Sequence, residues 1–108
     1  MNTNEFQQRI KQFYKENGYL DANHFISISI LAEKSGEVAR IMREIEYDSH
    51  PLTTTINSIK TNKKLLSEKL GDVLGMITCI ANQQDINLQD LYKEHIEKIE
   101  KIHKMMHN

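Results

Sequence analysis

Apolar residues recur at helical spacing along almost the whole chain, and a single proline, Pro51, interrupts the pattern. Steps of three and four residues place apolar side chains on one face of an α-helix, whereas a half-buried strand needs every second residue to be apolar. One proline and four glycines among 108 residues leave few natural breaks in a helical chain. We therefore expect an all-α protein, and the length suits one domain over residues 1–108.

Four helices are predicted. The first covers residues 3–17, the second begins at residue 21 or 23 and ends at residue 47, the third covers residues 63–84, and the fourth runs from residue 88 towards the C-terminus. Asn2 and Asn87 each precede a helix and are expected to cap it. The beginning of the second helix, Ile-Ser-Ile-Ser-Ile, also fits a strand, but apolar residues at helical spacing continue as far as Ile45 and favour a helix. Residues 48–62 are expected to form a loop, with room for one helical turn near residues 56–59.

Charge and cysteine content limit the possible partners. The net charge is −1, without the basic excess that nucleic-acid binders show, and no apolar run is long enough to span a membrane. The lone cysteine, Cys79, has no partner for a disulfide within the chain, so a cytoplasmic location is the default. So short a chain buries a modest fraction of its surface, so we expect an oligomer. Separately, the last helix carries a coiled-coil-like apolar seam.

Two similar segments lie 35 residues apart on different predicted helices. Residues 31–38 read Leu-Ala-Glu-Lys-Ser-Gly-Glu-Val, and residues 66–73 read Leu-Ser-Glu-Lys-Leu-Gly-Asp-Val. A glycine inside a helix costs about 1 kcal/mol relative to alanine. Two glycines at equivalent positions, Gly36 and Gly71, therefore predict the close approach of another backbone or of a ligand.

Each segment carries two acidic residues four positions apart, which lie on one face of a helix. They are Glu33 and Glu37 in the first segment, and Glu68 and Asp72 in the second. If the helices pack antiparallel through their glycines, the four carboxylates converge, and oxygen ligands of this kind suit Mg²⁺. The alternative is an ordinary solvated helix face, because neighbouring Glu and Lys residues are common there.

The two segments resemble the paired acidic motifs of the MazG-like, all-α nucleotide pyrophosphohydrolases. The family sequences are similar to Glu-Glu-x-Gly-Glu-Leu and Glu-Glu-x-Gly-Asp-Val-Leu, the second followed by an apolar run and Ala-Asn, here Ala81-Asn82. The resemblance implies a four-helix MazG-like bundle that assembles as a homodimer or homotetramer. It also implies Mg²⁺-dependent hydrolysis of a nucleoside triphosphate to the monophosphate and pyrophosphate.

The resemblance places metal ligands at the last acid of each segment and three residues before it. Glu37 and Asp72 match this pattern, whereas the other two positions carry Lys34 and Lys69. A protonated lysine is not a ligand for Mg²⁺. The two lysines are instead candidates for binding phosphate groups as point charges, or for forming salt bridges in place of the metal.

Three interpretations remain open at this point. In the first, Glu33 and Glu68 serve as metal ligands and catalytic bases beside the two matching acids, and hydrolysis survives. In the second, metal and activity are lost but a nucleotide still binds, with Asn82 contacting the base unless it is a helix-end cap. In the third, the chain is a non-catalytic helical module that binds a protein partner. His103 and His107 fit a cationic helix end better than a metal pair.

Overall fold

The computed structural model describes residues 1–18, 23–48 and 56–107, and these residues form four α-helices without any strand. The helices are α1 (Thr3–Glu16), α2 (His24–Asp48), α3 (Ile56–Gln83) and α4 (Leu88–Met106). The all-α prediction is confirmed. No helix in the described ranges is long and apolar enough to cross a membrane.

The N-terminal ends of α1 and α4 follow the predicted capping pattern. Asn2 Oδ1 accepts a hydrogen bond of 2.8 Å from the backbone N–H of Glu5, and Asn87 Oδ1 accepts one of 3.0 Å from the N–H of Asp90. Each bond satisfies a backbone donor that the first turn of a helix leaves unpaired. The chain leaves α1 through Gly18, whose φ of 75° is a conformation that glycine adopts without strain.

Helix α3 begins earlier than the sequence predicted. Residues 56–62, expected to belong to a loop, are helical and continue into the predicted helix at residues 63–84. The rest of that expected loop, residues 49–55, lies outside the described residues. Intrinsic helix propensities differ by only a few tenths of a kcal/mol among most residues, so the β-branched and polar residues here do not prevent a helix. The ambiguous start of α2 is helical from His24.

The chain divides into two compact units. Unit 1 contains residues 1–22 and 78–108, and therefore α1, the end of α3 and α4, whereas unit 2 contains residues 23–77, with α2 and most of α3. Among the residues whose burial the structure describes, the buried apolar ones are Ile41 and Met76 in unit 2, and Cys79, Ala81 and Leu88 in unit 1. Several large apolar residues of α3 stay partly exposed, with Leu70 51% exposed.

Gln7 attaches α1 to the turn between α3 and α4 within unit 1. Its Nε2 donates hydrogen bonds to Asn82 Oδ1 at 3.0 Å and to the carbonyl oxygen of Ile86 at 2.8 Å. Its Oε1 accepts a bond of 2.7 Å from the backbone N–H of Leu88, the first residue of α4. One side chain thus connects three successive parts of unit 1.

Candidate functional site

The two repeated segments lie on α2 and α3 in unit 2 and meet through charged side chains. Lys34 Nζ lies 3.9 Å from Asp72 Oδ2, and Lys69 Nζ lies 3.0 Å from Glu37 Oε2. As the position on α2 advances from 34 to 37, the position of its partner on α3 falls from 72 to 69. The helices therefore run antiparallel here, as expected, and the structure brings Glu37 and Asp72 into one cluster with both lysines.

The ammonium group of Lys34 stands between two carboxylates. Its Nζ lies 3.9 Å from Glu37 Oε2 and 3.9 Å from Asp72 Oδ2. Both distances are longer than a hydrogen bond, so none of the three N–H donors of this group is committed to either carboxylate. The side chain is only partly buried.

Glu37 is the acid that both lysines contact. Its Oε2 is buried and lies 3.0 Å from Lys69 Nζ, a distance at which the ammonium group donates a charge-assisted hydrogen bond. This contact lowers the pKa of Glu37, desolvation opposes the change, and the charges of Lys34 and Arg40 add to the lowering. Glu37 is therefore ionised at neutral pH.

The other two acids of the repeated segments, Glu33 and Glu68, are exposed. Across residues 1–18, 23–48 and 56–107, no three side chains of His, Cys, Asp or Glu are placed to hold a metal ion. The rings of His103 and His107 lie 4.2 Å apart between centroids. The expected convergence of four carboxylates is thus not found within one chain, and the catalytic and metal-binding roles of Glu33 and Glu68 stay predictions.

The residues present do not fit the Mg²⁺ ion that the resemblance implies. Mg²⁺ requires oxygen ligands in near-ideal octahedral geometry at about 2.0–2.1 Å. Here the carboxylates of Glu37 and Asp72 contact the ammonium groups of Lys34 and Lys69 instead. Two carboxylates and two ammonium groups carry no net charge together, so the cluster lacks the excess negative charge that attracts a divalent cation.

The repeated glycines do not mediate the contact between α2 and α3. A Cβ atom built at Gly36 or Gly71 would meet no heavy atom of the described structure within 4 Å. The expectation that the helices approach each other through these glycines is wrong for the single chain. Because lysine side chains span the gap between α2 and α3, the two backbones need not come close.

Asn82, which was predicted to contact the nucleobase, lies in unit 1 and is engaged by α1. Its Oδ1 accepts a bond from Gln7 Nε2, and its Nδ2 donates one of 3.3 Å to the carbonyl oxygen of Gln7. A polar cavity of about 360 Å³ adjoins it, lined also by Gln8, Lys11 and Asp85. Any base contact of Asn82 has to compete with its bonds to Gln7. Nothing in the sequence singles out Gln7, because one glutamine on an amphipathic helix is common.

Comparison with known proteins supports the family resemblance that the two repeated segments suggested. The model of the MazG nucleotide pyrophosphohydrolase domain matches residues 23–107, which include α2, α3 and α4. The uncharacterised protein YvdC of Bacillus subtilis strain 168 is 34% identical over 92 residues, covering 85% of this chain and 87% of YvdC. The uncharacterised protein YpjD of the same strain is 26% identical over 83 residues, covering 75% of this chain and 70% of YpjD.

No solved structure matches the chain significantly. The family match covers both acidic segments and the two helices that carry the lysine–carboxylate cluster. The chain therefore belongs to the MazG nucleotide pyrophosphohydrolase family.

Proposed function

We propose that this protein binds the phosphate groups of a nucleoside triphosphate through Lys34 and Lys69, without metal-dependent hydrolysis. Membership of the family supports a nucleotide as the ligand. The cluster on α2 and α3 supports contact with phosphate through lysine in place of a metal ion. The predicted cytoplasmic location stays part of this proposal.

The position of the Lys34 ammonium group is the observation that carries the proposal. It lies 3.9 Å from oxygens of both Glu37 and Asp72, so it stands between the two acids that match the metal ligands of the family pattern. Lysine binds phosphate as a point charge, and its three donors are not committed to these carboxylates. Lys69 is about as accessible as Lys34 and adds a second positive charge nearby.

The same cluster is poorly suited to hydrolysis. A metal ion neutralises charge on the reacting phosphates and lowers the pKa of a bound water, whereas an ammonium group supplies charge but does not activate water in this way. A general base works best with a pKa near the working pH. Glu37 does not meet this condition, because its contacts with the lysines move its pKa further below neutral pH.

Calorimetry with a non-hydrolysable nucleoside triphosphate tests the binding. We expect similar affinity in EDTA and in Mg²⁺ buffer, because the phosphate contacts come from lysine. The variant with Lys34→Gln and Lys69→Gln should bind at least tenfold more weakly, since charge-assisted hydrogen bonds are each worth about 1.5–3 kcal/mol. Lys64 is an exposed lysine on α3, the helix that carries Lys69, so Lys64→Gln is the matched control and should leave the affinity for the triphosphate unchanged.

A pyrophosphate-release assay separates this proposal from the alternative, an active Mg²⁺-dependent pyrophosphohydrolase. We expect no release from a panel of ribo- and deoxyribonucleoside triphosphates, with or without Mg²⁺. Release that requires Mg²⁺ and disappears in Glu37→Gln would establish the hydrolase instead. Equal triphosphate affinity in the wild type and in the double lysine variant would refute the lysine site.

A further inference from the structure

Two histidines meet at the end of α4, in unit 1 and outside the lysine–carboxylate cluster. The ring centroids of His103 and His107 lie 4.2 Å apart, and the ring planes are inclined by 40°. The backbone N–H of His107 donates a hydrogen bond of 3.1 Å to the carbonyl oxygen of His103, so one turn of helix joins the two residues. The sequence alone favoured a cationic helix end here, but residue spacing could not show that the two rings come together.

We propose that His103 and His107 together bind a divalent transition-metal ion, with Cu²⁺ preferred over Ni²⁺ and Zn²⁺. Histidines four residues apart on one helix face are an arrangement in which proteins bind such ions. Imidazole nitrogen is a good ligand for copper, nickel and zinc, whereas Mg²⁺ prefers oxygen ligands. The histidine pair therefore takes a different class of ion from the one that the family resemblance implies.

The distance between the rings fits one ion bound by both. Two imidazoles bound at right angles to one ion, through bonds of about 2.0 Å, have ring centroids about 4.5 Å apart, and tetrahedral binding separates the centroids by about 5.1 Å. The observed 4.2 Å is closer to the first value. Neighbouring ligands are at right angles in the square-planar and tetragonal geometries that Cu²⁺ prefers, and Cu²⁺ also has the highest intrinsic affinity in its series.

The surroundings of the pair are open to an ion. Both histidine side chains are exposed, so an ion reaches them without any opening of the fold. Glu100 lies on the same helix face, three residues before His103, and the last turn of a helix carries partial negative charge, so both favour a cation. Lys104, next to His103, opposes it in part. Among the described residues no third His, Cys, Asp or Glu side chain joins the pair, so water completes the coordination and the ion exchanges readily.

Calorimetric titration of the full chain with Cu²⁺ in nucleotide-free buffer tests the site. Without nucleotide, the result does not depend on the proposed triphosphate binding, which involves unit 2. The second imidazole acts at an effective concentration of about millimolar or higher, so His103→Gln and His107→Gln should each weaken Cu²⁺ binding at least about tenfold. His95→Gln removes an exposed histidine from the same helix and should leave the affinity for Cu²⁺ unchanged.

A change of spacing separates a two-histidine site from attraction of the ion to any histidine. His107→Gln combined with Met105→His keeps the number of histidines, but it moves the second one to the opposite side of the helix from His103. This variant should bind Cu²⁺ no more tightly than His107→Gln alone. Electron paramagnetic resonance of bound Cu²⁺ should show coupling to two imidazole nitrogens in the wild type and to one in His107→Gln. Equal Cu²⁺ affinity in the wild type and both single variants, or wild-type affinity in the spacing variant, would overturn the proposal.

Discussion

Replacing Gln7 with alanine should weaken the attachment of α1 to the rest of unit 1. The side chain makes three hydrogen bonds, to Asn82, to the carbonyl oxygen of Ile86 and to the backbone N–H of Leu88, at 3.0, 2.8 and 2.7 Å. Because Gln7 joins residues at least 75 positions away in sequence, its loss affects tertiary packing rather than the helix itself.

The expected loss of stability in Gln7→Ala follows from how exposed each of the three hydrogen bonds is. A neutral hydrogen bond contributes about 0.5–1.5 kcal/mol net. The bonds to Asn82 and Leu88 are partly buried and are assigned about 1 kcal/mol each, whereas the bond to Ile86 is exposed and is assigned about 0.5 kcal/mol. The free energy of unfolding should therefore fall by about 2.5 kcal/mol, a large fraction of the roughly 5–15 kcal/mol typical of a small domain.

Urea and thermal unfolding followed by circular dichroism measure this change. A loss of about 2.5 kcal/mol should lower the melting temperature by about 10 °C or more in a domain of this size. Gln8→Ala is the matched control, because Gln8 is exposed on the same helix, and its effect should stay within about 0.5 kcal/mol. If Gln7→Ala is no more destabilising than Gln8→Ala, the reasoning about this contact is refuted.

Three further predictions concern ionisable groups. The lowered pKa of Glu37 stabilises the fold fully above the ordinary glutamate pKa, and this contribution is lost as the pH falls through the lower pKa of the folded state. Glu37→Gln should remove that part of the dependence of urea midpoints on pH, and an unchanged dependence would contradict the ion pair. Changing both Lys34 and Lys69 to Glu should create a site at which Mn²⁺ raises the melting temperature, unlike in the wild type; no shift would show that the lysines are not what excludes the metal. Burial raises the pKa of the Cys79 thiol, so it should react with a thiol reagent far more slowly in the native protein than in urea, and equal rates would contradict its burial.

The sequence by itself determined most of the local structure. The N-caps at Asn2 and Asn87, the helical course of α2 and the positions of both acidic segments all followed from residues within a few positions of one another. Helix hydrogen bonds and caps join neighbours in sequence, so periodicity and single residues reveal them. The start of α3 was missed because intrinsic helix propensities differ little there and do not indicate where the helix begins.

The tertiary structure alone decided which side chains meet. Sequence spacing could pair Lys34 with Glu37 on one helix, but it could not show that Lys34 also reaches Asp72 or that Lys69 reaches Glu37 across to α2. It also could not show that Gly36 faces open space. These outcomes depend on the rotation and axial register of one helix against another, which are set by packing along both helices together and are not encoded in the pattern of either helix alone.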